Sequence, residues 1–322
     1  MSIWKKLLLS LVAALMPVAA FSQGYPQKPV KILVTIGPGS SADILARIVA
    51  EEMQRRLGQP FIVENRPGAG GNIAADAVAK SAPDGYTLLM STISTHAINA
   101  ALYPSMPFDP MKDFSHIALL AANPNALVVL PSSPIQNLKD VLELAAKKPQ
   151  EVTYASGGSG TSQHLAGELL ASLGKVKLTH VPYKSTPESM NAVLSGQVTL
   201  SFVSVPVALA QVKAGKLKAI GVTSEKALPW WSDMPTLASQ GLPGFSISAW
   251  FGMSAPAGTP DAIVQKLNAE LQAVMAMPSV REKLQAQGME VLGGTPAQFT
   301  EHIRAETDRW GRIVRESGAK AN

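Results

Sequence analysis

Hydrophobic and polar positions alternate along the chain in a pattern typical of an α/β protein. Residues 30–36 (VKILVTI) form a short apolar run rich in β-branched residues, which predicts a buried strand. Residues 41–57 carry apolar side chains at i, i+3, i+4 and i+8, the spacing of one helix face. Strands are predicted again at 61–64 and 86–91, with a helix at 72–79 between them. This β-α-β-α-β order predicts a parallel sheet with right-handed crossovers.

A second α/β series begins near residue 121. It has predicted strands at 127–130, 152–156, 178–182, 198–203 and 217–222, and helices at 137–148, 161–173, 187–195 and 207–214. Residues 260–319 have helical periodicity and no strand of their own, so we expect them to pack on the first series. We predict domain 1 at 23–120, domain 2 at 121–248 and a helical return to domain 1 at 249–322. Two segments, near 117–126 and 246–256, would cross between the domains.

The first 22 residues have the pattern of an export signal. Two lysines precede an apolar stretch at residues 7–15, and Pro17 and small residues follow it. The stretch is short for a membrane span, and no cysteine follows it that could carry a lipid anchor. We predict a signal peptide at 1–22, cleaved near Ser22, and a periplasmic location. Cleavage after Ala20 and an uncleaved membrane anchor are the alternatives.

Composition narrows the function by excluding several kinds of chemistry. Of 322 residues 46% are hydrophobic and 16% charged, as in a globular protein, and there is no cysteine. The net charge of +5 falls to +3 without Lys5 and Lys6, and the basic residues form no stripe for nucleic acid. The five histidines lack metal-ligand spacing, and no G-x-S-x-G, Walker A or H-E-x-x-H motif occurs. We therefore predict a binding protein without cofactor, metal or enzymatic activity, and we expect a monomer. A Ser159–His164 pair is the alternative that would indicate an enzyme, but a single turn rarely orients a catalytic triad.

The loop after the first predicted strand is a candidate anion site. It joins a strand end to a helix start, where free backbone N–H groups and the helix dipole favour a negative charge. The candidate ligand-binding residues are Ile36, Gly37, Gly39, Ser40, Ser41 and Asp43. A plain helix cap, with Asp43 balancing the dipole, is the alternative. The loop also fits a loose G-x-G-x-x-A dinucleotide fingerprint with Glu64, but an exported compartment supplies little NAD.

A second glycine- and serine-rich loop, 156–164 (SGGSGTSQH), also follows a predicted strand and opens a helix. One such loop in each domain could hold a single carboxylate from both sides of a cleft. The candidate residues here are Ser156, Gly157, Gly160, Thr161 and Ser162. A flexible turn capped at Thr161 is the alternative.

Four further residues are candidates because of where they lie. Thr92 and Ser94 follow the third strand, and Ser204 follows the strand at 198–203, at the ends of strands where ligands bind in α/β sheets. Trp250 lies in the second crossing segment and could cover a ligand; an ordinary core position is equally compatible with the pattern. For His96 we favour a packing role.

Several motifs together resemble the Bug/TctC-type solute-binding receptors of tripartite tricarboxylate transporters. They are 25–29 (YPQKP), Pro38-Gly39 with Asp43 and Arg47, 64–72 (ENRPGAGGN), 82–86 (APDGY), 180–184 (HVPYK), 234–236 (MPT), 241–245 (GLPGF) and 255–260 (APAGTP), within a likeness over 25–319. The chain departs from the usual pattern where Ile36 replaces an aromatic residue and Ser40 a glycine. Thr199 and Val203 replace two carboxylates, and this loss of negative charge suits an anionic or partly apolar ligand.

The resemblance implies a two-domain α/β clamshell with the type II periplasmic-binding-protein fold. It implies capture of a carboxylate by the loops at 36–43 and 156–162, the ligand being a di- or tricarboxylate, an acidic amino acid or an aromatic acid. The expected partners are the membrane permease subunits of a tripartite tricarboxylate transporter. A receptor that signals to a membrane sensor kinase is the alternative function.

Overall fold

A computed structural model describes residues 24–183 and 185–320; the predicted signal peptide and its cleavage site lie outside these residues. The strands are β1 (Val30–Val34), β2 (Phe61–Asn65), β3 (Thr87–Thr92), β4 (Phe114–Val129), β5 (Thr153–Ser156), β6 (Thr179–Pro182), β7 (Leu200–Ser204), β8 (Lys218–Val222), β9 (Ser248–Pro256) and β10 (Glu290–Val291). Every strand predicted from the sequence is present, so the α/β class is confirmed. The expectation that 260–319 is helical throughout is wrong at β10, a two-residue strand that pairs with β4.

The helices also follow the predicted pattern closely. They are α1 (Ser41–Leu57), α2 (Asn72–Ala79), α3 (Asn99–Leu102), α4 (Leu138–Lys147), α5 (Ser162–Gly174), α6 (Thr186–Leu194), α7 (Val205–Lys213), α8 (Asp261–Ala276), α9 (Pro278–Ala286) and α10 (Pro296–Ser317). A π-helical turn at Ser94–Ile98 precedes α3. Among the described helices, none combines the length and apolarity needed to cross a membrane.

One mixed sheet joins all ten strands, in the order β2-β1-β3-β9-β4-β7-β5-β6, with β8 and β10 also paired to β4. β1 runs parallel to β2 and β3, and β5 runs parallel to β6 and β7, as the alternation of strands and helices predicts. The sheet is mixed because β9 is antiparallel to both β3 and β4, and β4 is antiparallel to β7 and β8. β9 and β4 lie between the two groups of parallel strands and carry the chain from one half of the sheet to the other.

β4 is a single 16-residue strand that changes partners in its middle. Residues 114–124 pair with β9, and residues 125–129 pair with β7 and β8. We call β1–β3, β9, β10 and residues 114–124 the first lobe, and β5–β8 with residues 125–129 the second lobe. Pro124 lies at the change of partner, where a residue without an N–H group interrupts the ladder least. The predicted boundaries at 120 and 248 fall inside β4 and at the first residue of β9.

Buried apolar faces hold the helices on this sheet. In the first lobe Leu45 and Met53 of α1 pack with Leu267 and Leu271 of α8, and each fully buried side chain of this size contributes about 1.5–3 kcal/mol. α9 joins the same core, as expected for helices that return to the first domain.

The C-terminal helix α10 differs from α8 and α9 because it contacts both lobes. Its residues Phe299, Ile303 and Trp310 share a core with Leu165 of α5 in the second lobe. On the first lobe, the Thr307 hydroxyl donates to the backbone oxygen of His96 at 3.1 Å. The sequence led us to expect contacts with the first domain alone, because an apolar helix face does not reveal which neighbours cover it.

Candidate functional site

The loop before α1 is closed on itself by side chains of the first helical turn. Ser40 is the N-cap, and its hydroxyl accepts from the Asp43 N–H at 3.3 Å. The Asp43 carboxylate in turn accepts from the Gly39 N–H at 2.9 Å. Gly39 has a φ of 78°, a left-handed conformation that glycine adopts without strain. The remaining N–H groups of the first turn have no partner within the helix and are the available donors.

Asp43 is an organising residue of this loop. Its side chain is buried, and Arg47 pairs with it at 2.9 Å. Burial acts to raise the pKa of Asp43, but hydrogen bonds from Arg47, Gly39 and Asn65 outweigh burial and lower the pKa below its usual value. The carboxylate is therefore ionised and neutralised by Arg47, and the helix start can still receive an anion.

The loop before α5 repeats this plan in the second lobe. Thr161 is the N-cap and accepts from the His164 N–H at 3.3 Å. The Gly160 N–H donates to His164 Nδ1 at 3.2 Å, and the Gly157 N–H donates to Gln163 Oε1 at 2.6 Å. Both loops are thus held in shape by residues of the helix that follows them.

A stacked histidine pair supports the second loop. His164 and His180 have ring centroids 4.0 Å apart, and a 2.7 Å hydrogen bond joins His180 Nε2 to the Ser156 hydroxyl. Burial lowers the pKa of His164 to about 3 and that of His180 to about 4, with His180 adding to the effect at His164. His164 is therefore neutral at pH 7, and its Nδ1 is free to accept from Gly160.

Acid is expected to destabilise the protein in part through His164. Its pKa is lower in the folded state than the ordinary 6.5, so the unfolded chain binds more protons and stability falls as the pH decreases below about 6.5. Between pH 7 and pH 5, we expect His164 to lower the free energy of unfolding by about 2 kcal/mol. His164→Asn keeps an acceptor for Gly160 but does not titrate, so urea denaturation at the two pH values should show a smaller loss. An equal loss in the variant and the wild type would contradict this account.

Two asparagines on β4 bring the two loops together. The Asn123 Nδ2 group donates to the hydroxyl of Ser41, the first residue of α1, at 3.0 Å. The Asn125 Nδ2 group donates to the hydroxyl of Ser162, the first residue of α5, at 3.2 Å. The asparagines are two residues apart on one strand, so they lie on the same face, about 7 Å apart along the strand. The two helix starts, one from each lobe, therefore converge on a single place.

The lobes also contact each other beside this point. The Ser94 hydroxyl, in the π-helical turn of the first lobe, donates to the Gly160 backbone oxygen at 2.8 Å. A Cβ added to Gly160 would lie 2.8 Å from Asn99 Oδ1, so only glycine permits this approach. Three buried polar atoms near the loops have no hydrogen-bond partner among the described residues: Thr35 Oγ1, Asn99 Oδ1 and Asn123 Oδ1.

The structure brings most of the predicted site residues into this region. Ser41, Ser94, Gly160 and Ser162 make the contacts above, and Ser204 is paired with Asn125 in the sheet. The rest of both loops, Ile36, Gly37, Ser40, Ser156, Gly157 and Thr161, lies next to them in the chain. Their role in binding a ligand stays a prediction.

Thr92 and Trp250 are buried in the protein. The Thr92 side chain is 2% exposed and hydrogen bonds to Thr95. Trp250 is 3% exposed, donates through its indole N–H to Glu306 at 3.1 Å and packs edge-on against Phe299. Trp250 therefore occupies a core position between β9 and α10, which was the alternative left open by the sequence.

The two positions where the family pattern has carboxylates take part in the packing of the second lobe. The Thr199 hydroxyl is 3.3 Å from that of Thr153, in a lateral contact between strands, and Val203 is fully buried in the second lobe. No group of three or more His, Asp or Glu side chains suited to a metal ion occurs within residues 24–183 and 185–320.

Asn123 and Asn125 were missed by the sequence analysis. Pro124 between them argues against a central strand, so the predicted strand began only at residue 127. The available signal is a pair of polar residues at i and i+2 inside an otherwise apolar run, which places both on one face of a strand.

The chain is similar to a known receptor family and to solved structures that contain bound adipate or malate. Residues 45–319 match the tripartite tricarboxylate transporter family receptor. Protein BugT of Bordetella pertussis is 35% identical over 297 residues, covering 92% of this chain and 91% of BugT. The structure of R. palustris Rpa4515 with adipate is 34% identical with a TM-score of 0.87, covering 92% of this chain and 100% of that one. MatC from Rhodopseudomonas palustris, with bound malate, is 34% identical with a TM-score of 0.83, covering 90% and 100%.

Proposed function

The chain belongs to the tripartite tricarboxylate transporter receptor family, and we propose that it captures a small organic carboxylate for uptake through such a transporter. Members of this family are periplasmic solute-binding proteins with the type II fold, not enzymes. The candidate ligands are di- or tricarboxylates, acidic amino acids and aromatic acids. Adipate and malate, bound by two relatives of similar fold, support the carboxylate class.

The convergence of two helix starts on β4 is the observation that carries this proposal. Ser41 and Ser162 each begin a helix of more than twelve residues, and both are held by asparagines of one strand. A carboxylate between them would receive N–H and O–H donors from both lobes and the positive ends of two helix dipoles. Hydrogen bonds to a charged group are worth about 1.5–3 kcal/mol each. Two or three of them with burial are enough for a dissociation constant near 1 μM, about −8 kcal/mol.

Binding to both lobes would couple capture to closure of the cleft. β4 and β9 are the two strands that connect the lobes, and rotation about them would separate the loops without disturbing either sheet half. The contact between Ser94 and Gly160 forms only when the loops are close together. A closed receptor of this kind is the form that a permease would recognise.

A thermal-shift screen of organic acids tests the proposal. An acid at 100 times its dissociation constant should stabilise the protein by about 2.7 kcal/mol, which raises the melting temperature by several degrees. The uncharged amides of the same acids serve as matched controls and should have no effect. Failure of every carboxylate to raise the melting temperature would contradict the proposal. For the acid that binds, uptake by cells lacking this protein should be lost.

A further inference from the structure

Asn123 has a free hydrogen-bonding atom at the point where the two loops converge. Its Nδ2 group is used by Ser41, its side chain is 2% exposed, and its Oδ1 atom has no partner among the described residues. A buried acceptor left unpaired is unfavourable, and buried polar atoms in native proteins are usually satisfied. A carbonyl oxygen can only accept, so its partner must be a donor.

The asparagines also direct the protons of the two serine hydroxyls. A serine hydroxyl has one proton to donate and can accept from other groups. Because Asn123 and Asn125 donate to Ser41 and Ser162, each serine keeps its own proton for another acceptor. A carboxylate accepts such protons. The site would thus present two hydroxyl donors for a carboxylate, and Asn123 Oδ1 is an unpaired acceptor beside the first of them.

The chemistry at the first loop favours a neutral donor on the ligand over an ammonium group. An ammonium buried there would need an anionic partner. The Asp43 carboxylate is already used by the Gly39 N–H and by Arg47, and Glu64 is paired with Arg66 at 2.6 Å. A hydroxyl requires only an acceptor, which Asn123 Oδ1 supplies.

We infer that the ligand is a 2-hydroxycarboxylate whose hydroxyl donates to Asn123 Oδ1, so that Asn123 determines specificity and Asn125 only positions Ser162. The inference rests on the proposed capture of a carboxylate. The 2-position follows because Oδ1 and Nδ2 are attached to the same carbon of Asn123. A donor that reaches Oδ1 must therefore be close to the carboxylate that Ser41 binds.

Calorimetric titration with matched pairs of acids tests the inference. Each pair differs only in the 2-hydroxyl: malate with succinate, and mandelate with phenylacetate. In the pair that binds more tightly, the wild-type protein should bind the hydroxy acid at least about tenfold more tightly than the acid that lacks the hydroxyl. The acid without the hydroxyl leaves the buried Asn123 Oδ1 atom unpaired. Asn123→Ala should reduce this ratio to within about twofold. Asn125→Ala is the matched control, and it should weaken both acids alike and preserve the ratio.

The possible outcomes separate this inference from the proposed function. Equal wild-type affinities within both pairs, or a preference that survives in Asn123→Ala, would overturn the inference and leave carboxylate capture standing. Binding of other carboxylates without either hydroxy acid would do the same. Absence of binding by every carboxylate tested would overturn both. The wild-type ratio needs no variant, so the test holds even if Asn123→Ala fails to fold.

Discussion

Replacing Thr161 with aspartate is expected to abolish carboxylate binding while leaving the fold intact. Aspartate is as good an N-cap as threonine, so the His164 N–H keeps an acceptor and α5 keeps its start, although the hydrogen bond that the Thr161 hydroxyl donates to the Gly158 backbone oxygen at 2.7 Å is lost. The new negative charge would lie next to the carboxylate of the ligand, and like charges across a binding site cost several kcal/mol of binding free energy. We expect the dissociation constant to rise at least about 100-fold. Calorimetric titration measures the affinity, and thermal denaturation of the same sample reports the fold.

The same substitution elsewhere provides the control. Thr295 caps α10 in the same way, accepting from the Gln298 N–H at 3.2 Å, and that cap is solvent-exposed. Thr295→Asp should leave both affinity and stability unchanged, whereas Ser40→Asp, at the cap of α1, should reproduce the loss. If Thr161→Asp retains its affinity within about threefold, α5 does not form part of the site.

Replacing Gly252 with valine is expected to cause the largest loss of stability. Gly252 lies on β9, and the Phe299 ring of α10 packs directly on its bare backbone. A Cβ at this position would overlap that ring and lie 2.8 Å from the Ala118 backbone oxygen. Overpacking of a filled core against backbone should lower the free energy of unfolding by about 3 kcal/mol. Urea denaturation of the variant and the wild type measures this difference.

A double-mutant cycle with the smaller change Gly252→Ala tests whether the loss of stability at this position comes from the contact with α10. Phe299→Leu alone removes buried surface and should destabilise the protein, but it should partly restore the stability of Gly252→Ala by making room for the added methyl group. Additive effects of the two changes, or a Gly252→Val variant as stable as the wild type, would show that α10 does not pack on β9 in this way.

Local patterns predicted the elements well because their causes are local. α1 begins and ends at the predicted residues, since Ser40 caps its start and Gly58 adopts the left-handed conformation at its end. The two glycine-rich loops were predicted for the same reason, because each joins a strand end to a capped helix within a few residues. Trp250 shows the limit of such patterns, because an aromatic side chain in a crossing strand can face either the cleft or the core.

The arrangement of the elements could not be predicted from such patterns. β4 changes partner at Pro124, and a local pattern indicates only that proline disfavours a central strand. The mixed sheet and the packing of α10 against both lobes depend on contacts between distant segments, which hydrophobic periodicity does not reveal. The role of Asn123 and Asn125 depends on their hydrogen bonds to Ser41 and Ser162, which lie 82 and 37 residues away in the chain.

A crystal structure of the protein with the acid that binds most tightly would test the central claim most directly. We predict one carboxylate group about 2.7–3.1 Å from both the Ser41 and the Ser162 hydroxyls, between the starts of α1 and α5. A carboxylate bound to one lobe alone, or an acid held elsewhere on the molecule, would contradict this account.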